Sequence, residues 1–378
     1  MTKHSKKINF SFEEGVIGVM ALFFFLYIAI RAFVIPITWD ESYTLNEYLL
    51  KDILLLRKFD LMSANFHLLN VWLSWLVAKL LGFSTFVIRI PNIIAFLFYC
   101  LGVNKIVRLY IADYRSVLWS CLFIVNPFLL DFFGLCRGYG ISFALLIWSI
   151  YFFLLFITGK KTIIYFFLAS ILIQLACLAN LSMLYTCVSM NVLGVFILIR
   201  NKFTFHHSEK KLVFTWFVSS IAFLIYVVYN LINLKANGSL FYGGNTGFWF
   251  DTINSIVFKS FYGASYPNFV QLVIKIFFLS SSAFVVVSAI KEKGVPAIVL
   301  LAGATVLINI LTSLFFDVKY LVDRTALFYY ILFALVLFDL AKTMNNKAVE
   351  QVFLVGVVAM LVVNFFVSFN FEYYLLWK

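Results

Sequence analysis

Apolar runs about as long as a bilayer is thick recur along the whole chain, and they limit its fold more than any other feature. They fall near residues 15–37, 66–82, 84–107, 116–133, 139–157, 162–178, 184–199, 212–234, 269–290, 295–316, 325–341 and 348–369. A helix needs about 20 apolar residues to cross a hydrocarbon core of about 30 Å. Inside lipid every backbone polar group must find a partner within the protein, which leaves helices and closed barrels as spanning structures. Only 12% of the 378 residues are charged and 64% are hydrophobic, too few charges to cover a water-facing surface. The expected fold class is therefore all-α integral membrane, one domain over residues 1–378.

Loop charge sets the expected topology. The 66–82 run has 17 residues and reaches about 25 Å at 1.5 Å per residue, short of a full crossing. If it stays on one side and the chain starts inside, the clusters Lys105–Arg108–Arg115, Lys160–Lys161, Arg200–Lys211, Lys291–Lys293 and Lys342–Lys347 join Lys3, Lys6 and Lys7 on the inner face. A crossing would flip every later cluster against the first, contrary to the positive-inside bias. About eleven transmembrane helices follow. No small-residue cleavage site follows the first run, which reads as a retained helix. The net charge of +12 belongs to this bias, and no RNA- or DNA-binding motif accompanies it, so nucleic acid is not an expected partner. The five cysteines lie in or beside apolar segments without metal-ligand spacing.

The first external loop, 38–82, is expected to hold two juxtamembrane helices. Leu45, Tyr48, Leu49, Ile53 and Leu56 form one apolar stripe, and His67, Asn70, Ser74 and Ala78 recur at helical spacing. The second external loop, 235–268, carries Asn237-Gly238 and Gly243-Gly244-Asn245 turns and a short interfacial helix near 248–261.

With this topology the polar residues of a greasy chain collect on the external face: Asp40, Glu41, His67, Asn70, Asp131, Arg137, Tyr139, Asn180, Lys319, Tyr320, Asp323 and Arg324. A transporter concentrates ionisable groups near the bilayer midplane, so chemistry at the surface is the simpler reading. Asp40 and Glu41 open a helix, where acids ordinarily cap and complement the dipole. Capping needs one acid and does not account for the basic residues on the same face. A histidine metal site is not expected, since His4, His206 and His207 fall on the inner side.

Trp39-Asp40-Glu41-Ser42-Tyr43 resembles the W-D-E-x-Y opening of the GT-C superfamily of polytopic glycosyltransferases. Asn65–Asn70 resembles the family's x-x-H-P-P-L-Y turn, with Leu68 and Leu69 in place of the prolines. Gly82-Phe83-Ser84 to Arg89-Ile90-Pro91 is similar to G-x-S-x-x-x-x-R-x-P. Asn126-Pro127 to Arg137-Gly138-Tyr139 is similar to the proline-to-R-x-Y stretch, with Leu135 where an acid is frequent. Lys319-Tyr320-Leu321 sits where relatives carry Arg-Tyr, and Asn180-Leu181-Ser182-Met183 replaces an aromatic–histidine pair.

The resemblance implies sugar transfer from a polyprenyl-phosphate carrier to a lipid, glycan or protein acceptor on the external face, and direct displacement predicts inversion. The strong Phe/Lys/Asn bias suggests an AT-rich bacterial genome, which makes that face the periplasmic side of the inner membrane. The resemblance also implies Asp40 as base, with Glu41 orienting it or the acceptor. Arg137, Lys319 and Arg324 would steady the departing phosphate. His67, Asn70, Asp131, Tyr139 and Tyr320 complete the expected substrate-binding set. No cofactor is implied, and a divalent metal is left open. The alternatives are a flippase or transporter for lipid-linked saccharide, and an inactive assembly subunit of the same fold.

Overall fold

The computed structural model describes residues 11–51, 66–158, 163–200, 207–260, 296–341 and 347–375. Among these every regular element is helical, and the only strand-like pairing is an isolated antiparallel bridge between Gly244 and Tyr320. Seven helices are long and apolar enough to cross a membrane, and four shorter apolar helices accompany them. The chain is an all-α integral membrane protein. The expected run 269–290 lies outside the described residues.

In chain order the helices are α1 (Phe12–Val34), α2 (Trp39–Thr44), α3 (Leu68–Leu81), α4 (Thr85–Arg108), α5 (Arg115–Ile124), α6 (Pro127–Asp131), α7 (Tyr139–Ile157) and α8 (Ile163–Ala179). They continue with α9 (Leu184–Arg200), α10 (His207–Ala236), α11 (Asn254–Ser260), α12 (Ala297–Phe316), α13 (Phe328–Ala341) and α14 (Lys347–Ser368). A π-helical turn, Leu45–Leu49, prolongs α2, and another, Phe248–Ile253, leads into α11.

Local sequence explains the boundaries that matter. Ser11 and Glu14 form a reciprocal capping box that starts α1. Pro36 restricts the residue before it to extended backbone, and Ile35 duly leaves the helix at φ −73°, ψ 129°. The expected span 116–133 is broken. α5 stops at Ile124, and Asn126, extended because Pro127 follows, turns its side chain to cap α6 through the N–H groups of Phe128 and Leu129. Residues 132–138 then run to α7 without regular helix.

α7 is the axis of the bundle, packed on α8 and α4 and largely buried, whereas α10 packs on α8 and is mostly exposed among the described residues. α1 packs beside α4 and runs antiparallel to it. Arg89 near the start of α4 bonds to Ala32 O near the end of α1, while Arg108 at the far end of α4 pairs with Glu14 at 3.6 Å. The chain therefore leaves α1 and enters α4 at the same end of the bundle. At that end lie the fully buried charges Arg31, Glu41, Arg89, Asp131 and Arg137. At the other end Glu350 accepts from Arg115 at 2.7 Å and from Trp119 Nε1 at 3.1 Å, tying α14 to α5.

Candidate active site

The acid pair divides its labour. Thr38 caps α2, and Glu41 answers it: Glu41 Oε2 accepts from Thr38 N and Thr38 Oγ1, both at 3.0 Å. The same carboxylate takes Arg89 in a fork, Nε to Oε1 at 2.8 Å and Nη2 to Oε2 at 2.6 Å, and accepts from Cys136 N at 2.6 Å. Glu41 is fully enclosed, and five donors neutralise it. Such a pair is tolerable out of water only because its geometry and further bonds are complete. Arg89 also donates to the carbonyls of Ala32 and Ile35, each at 2.8 Å, and of Pro36 at 3.0 Å. One guanidinium thus fastens the end of α1, the start of α2 and the segment before α7.

Asp40 makes no capping bond among the described residues. Its Oδ2 accepts from Arg324 Nη1 at 2.5 Å and lies 4.0 Å from Arg137 Nη2. Arg324 reaches it from a single 3-10 turn, Asp323–Thr325, and Asp323 there has a left-handed φ of 48°. That turn is held in three ways. Asp323 N donates to Ser255 Oγ at 2.9 Å, Tyr242 Oη donates to Asp323 Oδ2 at 3.1 Å, and the Gly244–Tyr320 bridge anchors the chain upstream. Tyr242 also sets its ring 5.1 Å from the Arg324 guanidinium, a cation–π contact.

Beside Arg324 opens a cavity of about 180 Å³. Its polar lining includes His67, Tyr139, Asn180, Tyr242, Lys319 and Arg324. Asp40 does not line it. The carboxylate lies one hydrogen bond behind the Arg324 side chain that does.

His67 precedes α3, and its Nδ1 lies 2.8 Å from Ala179 O. A carbonyl only accepts, so Nδ1 carries the proton and Nε2 presents a lone pair. Nε2 has no partner in the buried site, and neither has the Asn180 Nδ2 donor. These are two open positions on a cavity wall, where an unmet polar group is costly. The close approach depends on Gly138, where an added Cβ would fall 1.8 Å from Ala179 O and 2.9 Å from His67 Cβ.

Burial pushes the His67 imidazole well below its usual pKa, and the Arg137 cation pushes the same way against the opposing bond to Ala179 O. Above the free-imidazole pKa of about 6.5 the folded and unfolded states are both neutral. Below it the unfolded chain takes up a proton that the fold refuses, so stability is lost as pH falls through that value toward the depressed one. The thermal midpoint of the purified protein should therefore decline between pH 7 and pH 5. The decline should be shallower in His67→Gln, and equal slopes would count against a buried neutral imidazole.

Of the residues expected from sequence, His67, Tyr139, Lys319 and Arg324 line the cavity, and Asp40 and Arg137 stand directly behind it. Three expected substrate contacts lie elsewhere. Asn70 is buried in a polar chain below the site, accepting from Asn92 Nδ2 at 2.6 Å and donating to Cys136 Sγ at 3.6 Å. Asp131 pairs with Arg31 and accepts from Leu375 N at 2.6 Å, which fixes the segment after α14 against α6. Tyr320 is buried and serves through its backbone bridge to Gly244. Sequence reasoning assigned no role to Tyr242 or to Arg89. The glycine-flanked aromatic and the lone arginine near the start of an apolar run were their signals. Among the described residues, no group of three or more His, Cys, Asp or Glu side chains converges as a metal site.

No family model and no curated protein matches the sequence. The structure is similar to crystal structures of ArnT from Cupriavidus metallidurans. The apo form superposes with a TM-score of 0.53 at 12% identity, and the form bound to undecaprenyl phosphate with 0.54 at 11%. In both cases 92% of this chain is covered, and the chain spans 63% of the length of ArnT. At that identity the likeness speaks for the fold, and it bears out the GT-C-like architecture expected from the motifs.

Proposed function

We propose that this protein is a membrane glycosyltransferase that moves a sugar from a polyprenyl-phosphate carrier to an acceptor hydroxyl at the outer, periplasmic face of the inner membrane. One observation carries the reading. A buried acid, Asp40, faces Arg137 and Arg324 just behind a polar cavity that Arg324 and Lys319 line, in the fold of ArnT. A crystallised neighbour of that fold binds undecaprenyl phosphate.

The chemistry fits these residues. Asp40 takes the proton from the acceptor hydroxyl as its oxygen bonds to the anomeric carbon, and the bond from that carbon to the phosphate oxygen breaks. Its electron pair leaves with the carrier phosphate, and the configuration inverts. A phosphate departs readily, so one base suffices and no second acid is required. Arg324, Arg137 and Lys319 supply positive charge where negative charge gathers. His67 Nε2 accepts from a sugar hydroxyl and Asn180 Nδ2 donates to one. Glu41 acts by holding the start of α2, and with it Asp40, in place.

The antiparallel pairing of α1 and α4 supports a topology in which 66–82 does not cross. With the run at 269–290 this makes eleven spans, both external loops, 38–82 and 235–268, lying on the catalytic side.

The test is binding of undecaprenyl phosphate to the purified protein in nanodiscs. Arg324→Ala should weaken it by about 1.5–3 kcal/mol, the range of a charge-assisted bond. Unchanged affinity in a folded variant would leave Arg324 without a role in carrier recognition.

A further inference from the structure

Arg324 cannot give the carrier phosphate its full fork while Nη1 stays on Asp40. Its Nη1 is committed to Asp40 Oδ2, and its side chain separates that carboxylate from the cavity. A guanidinium fits a phosphate in the same forked geometry as a carboxylate, and a phosphate oxygen is at least as good an acceptor. Both anions therefore call on one cation from opposite sides. We infer that Asp40 and the carrier phosphate compete for Arg324, so that arrival of the carrier draws the guanidinium off Asp40 and uncovers the base for the acceptor. This rests on the function proposed above and adds an order to it, carrier before acceptor.

The surroundings suit such an exchange. Asp40 keeps Arg137 at 4.0 Å when Arg324 departs, so the buried carboxylate is never without a cation nearby. Arg324 is carried on a one-turn element rather than a long helix, and it is the more exposed partner at 13%. Tyr242 over the guanidinium offers an aromatic face across which it can slide while still partly screened from water.

The experiment is a double-mutant cycle on undecaprenyl phosphate affinity in nanodiscs, which needs no knowledge of the acceptor. Asp40→Asn preserves shape and removes the competing charge, so it should tighten binding by roughly three- to tenfold. In an Arg324→Ala background the same replacement should change affinity by less than about twofold, because the contested cation is gone. Equal tightening in both backgrounds would overturn the proposal, since Asp40 would then repel the phosphate without reference to Arg324. Weakening by Arg324→Ala without tightening by Asp40→Asn would sink the competition and leave the carrier site standing. Absence of binding by the wild-type protein would remove both.

Discussion

Asp40→Asn should fold, bind the carrier and lose a factor of about 10²–10⁴ in sugar transfer, the usual worth of a positioned general base. The geometry leaves the backbone and cap of α2 untouched by this replacement. Asparagine has the same shape, and the hydrogen bond from Thr44 Oγ1 at 3.1 Å goes to the Asp40 backbone carbonyl, which the change does not touch. The capping of α2 belongs to Thr38 and Glu41. The start of α2 is therefore kept, while Arg137 and Arg324 lose a counter-ion at some cost in stability. Rates are accordingly compared on folded protein, and a lost rate with carrier binding no weaker than wild type isolates the chemical step. The assay compares envelope glycans by mass spectrometry in cells carrying wild-type or variant protein, with protein levels matched. Normal glycans from the variant would dismiss Asp40 as the base.

The sequence makes parts of this site legible and hides others for physical reasons. Apolar length and loop charge depend on no particular partner, so the helices at 12–34, 85–108, 139–157 and 297–316 could be placed closely. The break at Asn126-Pro127 lay inside an unbroken run of hydrophobicity. Only its tertiary use, Asn126 capping α6 with its Nδ2 bonded to Ser260 Oγ at 3.0 Å, gives it meaning. Asp40, His67, Arg137 and Arg324 were found because polar side chains are rare here and fell on one face. The same rule drew in Asp131, since nothing local distinguishes an acid at a cavity from one buried against Arg31 100 residues away. Glu41 and Arg89, 48 residues apart, were each visible as a charge but not as a pair. Which carboxylate takes which arginine is decided by the packing of α1 on α4.

That pair sets the largest expected cost in stability. Arg89→Met would leave the Glu41 carboxylate enclosed with no counter-ion, and three carbonyls at the end of α1 would lose their donor. Breaking a buried ion pair from one side costs about 3–5 kcal/mol, and here the broken side also frees the α1–α2 junction on which Asp40 sits. Glu41→Gln strands the arginine charge instead, at a cost of the same order. Replacing both, as Glu41→Gln with Arg89→Met, removes both charges and should cost clearly less than the two single losses added together. The measure is the midpoint of heat-induced loss of monodisperse protein in one detergent, with all four proteins treated alike. Strict additivity would mean that the fork seen between Glu41 and Arg89 contributes nothing as a pair. In that case the orientation of Asp40 would have to come from Thr38 and the cap alone.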